Sequence, residues 1–174
     1  MTKGDVWLLS LEEGHPARPL LQTPYDERQA MISPDGRWMA YTCDESGRPE
    51  VYVRPFPGPG ERWQVSTDGG AEPIWARDGR ELFFRLGDAL LSAGVEPRGR
   101  AFRTTVPRRL FEGRYARAFG AISSGNAVYD VSPDGRRFAM IQRSERAPPS
   151  QLQVVVHWFD ELRRRVATGV VKQP

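Results

Sequence analysis

The sequence predicts an all-β fold, a partial β-propeller of about three and a half four-stranded antiparallel blades with a short C-terminal helix. Three observations carry that prediction: a turn motif recurring at blade spacing, apolar strands that follow each copy, and a high density of turn formers. The 174 residues include 17 Gly and 15 Pro. They fall between short apolar runs, as tight turns between strands require.

The turn motif aligns without gaps in three places. These are Ser33-Pro34-Asp35-Gly36-Arg37, Ala76-Arg77-Asp78-Gly79-Arg80 and Ser132-Pro133-Asp134-Gly135-Arg136. Asp35 and Asp78 lie 43 residues apart, and Asp134 follows after a further 56. A four-stranded blade takes about 40–45 residues, so the second interval needs an insertion. Residues 98–126, rich in Gly and Arg, can hold it. In Ser-Pro-Asp-Gly, proline presets φ at the second position of a type I turn. Glycine then supplies the left-handed conformation that closes a short bulged hairpin, and the aspartate accepts hydrogen bonds from nearby amides. Asp35, Gly36, Asp78, Gly79, Asp134 and Gly135 are therefore read as structural turn residues.

Each turn leads into a strand that is apolar on both faces. Met39, Tyr41, Leu82, Phe84, Phe138 and Met140 lie on one side; Ala40, Phe83 and Ala139 lie on the other. A strand packed between two neighbouring sheets requires that pattern, whereas a half-exposed sheet would alternate apolar and polar residues. Inner strands precede the turns at 29–32, 72–75 and 128–131. Third strands follow at 50–54, 89–95 and 151–158, and outer strands at 62–66 and 108–111. Residues 6–11 and 19–22 match the third and fourth strands of a preceding blade. One domain over 1–174 then divides into a half blade (1–25), two blades (26–69 and 70–120) and a terminal blade (121–174). Trp158, Leu162 and Val166 share one helical face, with Phe159 beside it. A helix over about 158–166 is expected to cover the edge of the last blade.

Composition narrows the function classes. The net charge is +3, and 23 of the 25 basic residues are Arg, scattered among 22 acidic ones. No basic block reads as a nucleic-acid arm. No apolar run approaches the roughly 20 residues that cross a bilayer, and the N-terminus lacks a signal-peptide pattern, so no membrane insertion is expected. Cys43 is the single cysteine, which excludes an internal disulfide and a cysteine-based metal site.

Catalytic motifs are absent. There is no Gly-x-Ser-x-Gly, and the two histidines, His15 and His157, sit in a turn-like Gly-His-Pro and inside an apolar strand. No glycine-rich phosphate loop, strand lysine, His-Arg-Asp or Asp-Phe-Gly occurs. Asp68-Gly69-Gly70 reads as a turn, since no helix pattern follows it. The turn aspartates lack the alternating oxygen donors of a calcium loop. Neither a catalytic centre nor a metal or other cofactor is expected. What remains is binding. In a propeller the loops between blades and those between second and third strands gather on one face, here 23–28, 66–71 and 120–126 with 43–49, 85–88 and 143–150. Asp26, Glu27, Arg28, Asp44, Arg48 and Glu72 put both charge signs there, which suits a protein or peptide partner. The inner strands add polar Gln29, Glu72 and Asp130.

These repeats resemble the TolB-type, WD40-like propeller repeats of bacterial proteins over residues 5–169. More narrowly, Val51-Tyr52-Val53-Arg54-Pro55-Phe56-Pro57-Gly58 and His157-Trp158-Phe159-Asp160-Glu161-Leu162 resemble the C-terminal propellers fused to bacterial serine/threonine kinases. That resemblance implies a sensing or scaffolding module on the extracytoplasmic side of a membrane. It allows a second reading, the accessory propeller of a kinase or peptidase whose catalytic domain lies elsewhere. A closed ring of six or seven blades needs about 260–300 residues at this period. The chain is accordingly expected to be the C-terminal part of a longer propeller, or an open arc that dimerises.

Overall fold

The computed structural model describes residues 4–12, 14–96, 101–117 and 127–142, all within one compact unit spanning Met1–Arg143. Among the described residues there are strands and turns and no helix. A hairpin of β1 (Val6–Leu8) and β2 (Arg18–Leu21) comes first. The first full blade is β3 (Glu27–Ile32), β4 (Trp38–Cys43), β5 (Glu50–Pro55) and β6 (Trp63–Gln64), hydrogen-bonded in that order. The second is β7 (Ala71–Trp75), β8 (Glu81–Leu86), β9 (Ala89–Gly94) and β10 (Arg108–Glu112), again in sequential order. A last hairpin joins β11 (Tyr129–Val131) to β12 (Phe138–Met140). All these pairings are antiparallel. The described residues thus form a partial β-propeller, two complete blades flanked by two hairpins.

The three turns are superimposable in their hydrogen bonding. Gly36, Gly79 and Gly135 donate from their amides to the carbonyls of Ser33, Ala76 and Ser132 at 2.9, 2.9 and 2.8 Å. Their φ angles are 69°, 70° and 70°, the left-handed region that closes a type I turn with a bulge. Asp35, Asp78 and Asp134 each accept the amide two residues on, at 3.1, 2.9 and 3.1 Å. Burial would raise the Asp35 carboxyl, but hydrogen bonds from Ser33 and Arg37 outweigh it and hold the group below its ordinary range. Asp134 is lowered by the Ser132 hydroxyl and the Arg136 amide.

Packing repeats in the same sense from blade to blade. Met39 and Tyr41 of β4 face back toward the first hairpin, in one cluster with Leu21 and Tyr52. Leu82 and Phe84, at the equivalent places in β8, face back toward the first blade and pack with Trp38, Ala40, Val51 and Val53. Phe138 and Met140 face back toward the second blade, against Phe83, Leu90 and Ile74. All six residues of β4 are buried. Three apolar layers therefore lie between sheets, and β4 and β8 each serve two of them.

Several boundaries differ from expectation, each for a local reason. β1 ends at Leu8 because the chain turns at Ser10, whose hydroxyl accepts the Glu12 amide at 3.1 Å. β6 stops at Gln64 because the Ser66 hydroxyl takes the Val51 amide at 2.8 Å in place of a backbone carbonyl. The expected loop at 85–88 shrinks to a turn at Gly87 and Asp88, since Arg85 and Leu86 continue β8 opposite Leu90 and Ala89. Part of the insertion runs between β9 and β10, where Val95 bridges Thr104. It delivers Phe102 into the layer between the two full blades, with ring centroids 5.1 Å from Trp38, 5.8 Å from Trp63 and 6.2 Å from Trp75. Residues 118–126 and 143–150, the third strand at 151–158 and the helix at 158–166 lie outside the described residues.

A Cβ placed on Gly36 would meet nothing within 4 Å, so any cost of substitution comes from the backbone. Gly36→Ala is expected to destabilise by about 1 kcal/mol and Gly36→Val by about 2 kcal/mol or more. Denaturant titration checks both; an unchanged midpoint for the valine variant would contradict the turn assignment.

Candidate functional site

The inner strands of the two full blades carry the same irregularity. Register shifts between Arg28 and Met31 in β3 and between Ala71 and Ile74 in β7. Gln29 and Glu72, inside these bulges, adopt φ of 57° and 58°, a strained conformation for non-glycine residues that other contacts must sustain. The bulge turns each side chain toward the following blade. The Gln29 side-chain oxygen accepts the Glu72 amide at 2.9 Å, across 43 residues, and the Thr42 hydroxyl at 2.9 Å. The Glu72 carboxylate in turn accepts the Val128 amide at 3.2 Å, across 56 residues. These separations are those of the turn aspartates, so one equivalent position clasps the next, twice. The buried Tyr129 hydroxyl donates to the Glu72 carbonyl at 2.8 Å. Burial and the nearby Glu72 push its pKa well up, so it stays a donor.

Beside this clasp lies a cavity of about 390 Å³, at the strand ends opposite the Asp-Gly turns. Six of the eight residues expected to bind line it: Asp26, Arg28, Gln29, Asp44, Arg48 and Glu72. Arg28 pairs with Asp26, and the Asp26 amide donates to Asp44 at 2.9 Å. The other two lie elsewhere. Glu27 is buried beneath the loop, accepting the Thr23 hydroxyl. Asp130 is exposed and accepts the amide of its neighbour Val131 at 2.8 Å.

A buried carboxylate shapes the loop that forms one wall. Glu50, 1% exposed, accepts Arg48 Nε at 2.9 Å, the Gly69 amide at 2.8 Å and the Ser66 hydroxyl. The chain bends at Thr67 and Asp68, and the Gly70 amide beyond the bend donates to the Pro49 carbonyl at 2.9 Å. Gly70 has no room for a side chain, because a Cβ would sit 2.5 Å from Ser66 Oγ. Arg85 and Arg117, not among the expected binding residues, also line the cavity. Arg85 occupies in β8 the place of Thr42 in β4, and the signal was a lone arginine closing the apolar run Leu82-Phe83-Phe84.

Chemically the wall offers charges of both signs and exposed glycine backbone. Its one hydroxyl, Thr42, is committed to Gln29. Among the described residues no group of three or more His, Cys, Asp or Glu could hold a metal ion. Cys43 lies buried one residue from the wall, and burial pushes its thiol pKa up, away from the reactive thiolate.

No protein-family model and no curated protein matches the chain. Among solved structures it is similar to TolB from Acinetobacter baumannii, at 18% identity and a TM-score of 0.39, over 78% of this chain and 42% of that one. The chain thus spans less than half the length of that protein.

Replacing Gln29 by Leu removes the acceptor from two buried donors, the Glu72 amide and the Thr42 hydroxyl. It is expected to cost about 1–3 kcal/mol, measured as a shift in denaturant midpoint. Arg28→Ala, which loses an ion pair between exposed Arg28 and half-buried Asp26, is expected to cost about 1 kcal/mol or less.

Proposed function

We propose that the chain is a non-catalytic binding module that takes a protein or peptide partner in the cavity beside the Gln29 and Glu72 bulges. The observation that carries this reading is convergence. Three strand-end and loop segments far apart in sequence, 26–29, 42–49 and 69–72, meet with 85–87 around one concavity. Concave sites with a few convergent polar groups are where ligands bind. Gly47 and Gly87, both exposed, line this one and leave room for an extended peptide to approach closely, while the charges of both signs supply orientation. The described lining holds no histidine, cysteine, serine or lysine, which favours binding over catalysis. The narrower reading, an extracytoplasmic module of a serine/threonine kinase or peptidase, rests on the resemblance of residues 51–58 and 157–162. The arrangement as part of a longer propeller or as a homodimer rests on the blade count in the sequence.

The test selects linear peptides from a displayed random library against the full chain, then measures their affinity by fluorescence anisotropy. Pro49→Trp, at the mouth of the cavity, is expected to weaken the selected peptides about tenfold or more. Arg37→Ala, at the opposite strand ends, is expected to leave them unchanged. Peptides indifferent to Pro49→Trp would move binding off this face.

A further inference from the structure

The cavity wall contains a charge without a counter-ion. Arg85 is 2% exposed, lines the cavity and stacks its guanidinium over Tyr115, 6.0 Å from the ring centroid. Nη2 donates to the Gly87 carbonyl at 3.1 Å, but buried Nε and Nη1 find no hydrogen-bond acceptor. The other three arginines on the wall are each matched by a carboxylate. Arg28 has Asp26, Arg48 has Glu50 at 2.9 Å, and Arg117 has Asp88 at 3.7 Å. Among the described residues, Arg85 is absent from every such pair.

A guanidinium cannot shed its proton to escape burial, as a lysine can. It must therefore find an anion or remain a standing cost. The repeat makes the contrast sharp. In the first blade the equivalent residue is Thr42, a neutral donor satisfied by Gln29 at 2.9 Å. In the second blade that place holds a cation, while the Glu72 carboxylate is aimed at the Val128 amide. Apolar Leu86 and Ala71 stand beside it, a low-dielectric setting in which an added charge pair is strong.

We propose that the cavity takes a carboxylate, the side chain of an acidic residue or the C-terminus of a peptide, as the counter-ion of Arg85. This rests on the reading of the cavity as a peptide site and names the group it selects. A monoanion suits the wall because Asp26, Asp44 and Glu72 also line it. A phosphate dianion would meet the same Arg85 but more repulsion from those three. A planar carboxylate also matches the donor geometry of a guanidinium.

The experiment titrates the full chain with four probes, followed by calorimetry and amide chemical shifts. They are acetyl-Ala-Glu-Ala-amide, its Gln counterpart, acetyl-Ala-Ala with a free C-terminus, and inorganic phosphate. One or both carboxylate probes are expected to bind about tenfold or more tighter than the Gln peptide, and tighter than phosphate; which of the two leads identifies the source. That preference should vanish in Arg85→Met. The variant itself should melt no lower than the parent, because a buried unmatched charge has been replaced by a side chain of similar length. Should Arg85→Met fail to fold, Arg85 is required structurally and the comparison of both carboxylate probes with the Gln peptide on the parent decides alone. Failure of both carboxylate probes to bind tighter than the Gln peptide, tighter phosphate binding, or a preference that survives Arg85→Met overturns the proposal. Neutral peptides that still bind and still respond to Pro49→Trp would leave the cavity a peptide site while removing the carboxylate from it.

Discussion

A strand that is apolar on both faces cannot be stable in a single sheet, and the architecture follows from that constraint. β4 is buried along its whole length, with Met39 and Tyr41 in one layer and Trp38 and Ala40 in the next. β8 divides its side chains likewise, with Leu82 and Phe84 behind and Phe83 ahead. Each sheet therefore lends half of its core to either neighbour. Stability in such an array is a sum of blades and the interfaces between them, and a blade alone would leave two apolar faces in water.

Apolar layers do not fix how neighbouring sheets are set along their strands; directional contacts do. The side chains of Gln29 and Glu72 reach the equivalent backbone amide of the next blade. To do so they hold a left-handed backbone inside a bulge. The strain is offset because these hydrogen bonds are buried at Gln29 and part-buried at Glu72, where an unmet amide would cost more. The cavity lies beside these bulges, and both Gln29 and Glu72 line it. The residues that clasp the blades thus also belong to the wall of the proposed binding site.

Much of this was legible because turns and two-faced strands leave local signatures. The Asp-Gly motifs at 35, 78 and 134 gave the hairpins, the equivalence of the blades and every described strand, with end errors of one to a few residues. Five cavity residues were legible as charges brought to one face by that topology, and Gln29 as a polar residue of an inner strand. The bulges were not, because Gln and Glu carry no preference for positive φ and their clasps span 43 and 56 residues. Phe102 was hidden because it sits in an inserted segment with no strand periodicity, yet it fills the layer between both full blades. Arg85 falls at the start of the expected loop at 85–88, whereas β8 continues through it to Leu86. Glu27 falls in the expected loop at 23–28 between two charged neighbours, but it opens β3, and strand alternation turns it inward.

The mutual dependence of the blades is tested most directly by native-state hydrogen exchange on Phe102→Ala. Phe102 touches Trp38 of one blade and Trp75 of the next, so its loss, worth about 3 kcal/mol, should be felt by both. Amides of β4 and β5 and of β8 and β9 are expected to lose protection together and by the same free energy. A loss confined to one blade, or to the segment around residue 102, would show that the sheets stand independently and would contradict the shared-core account.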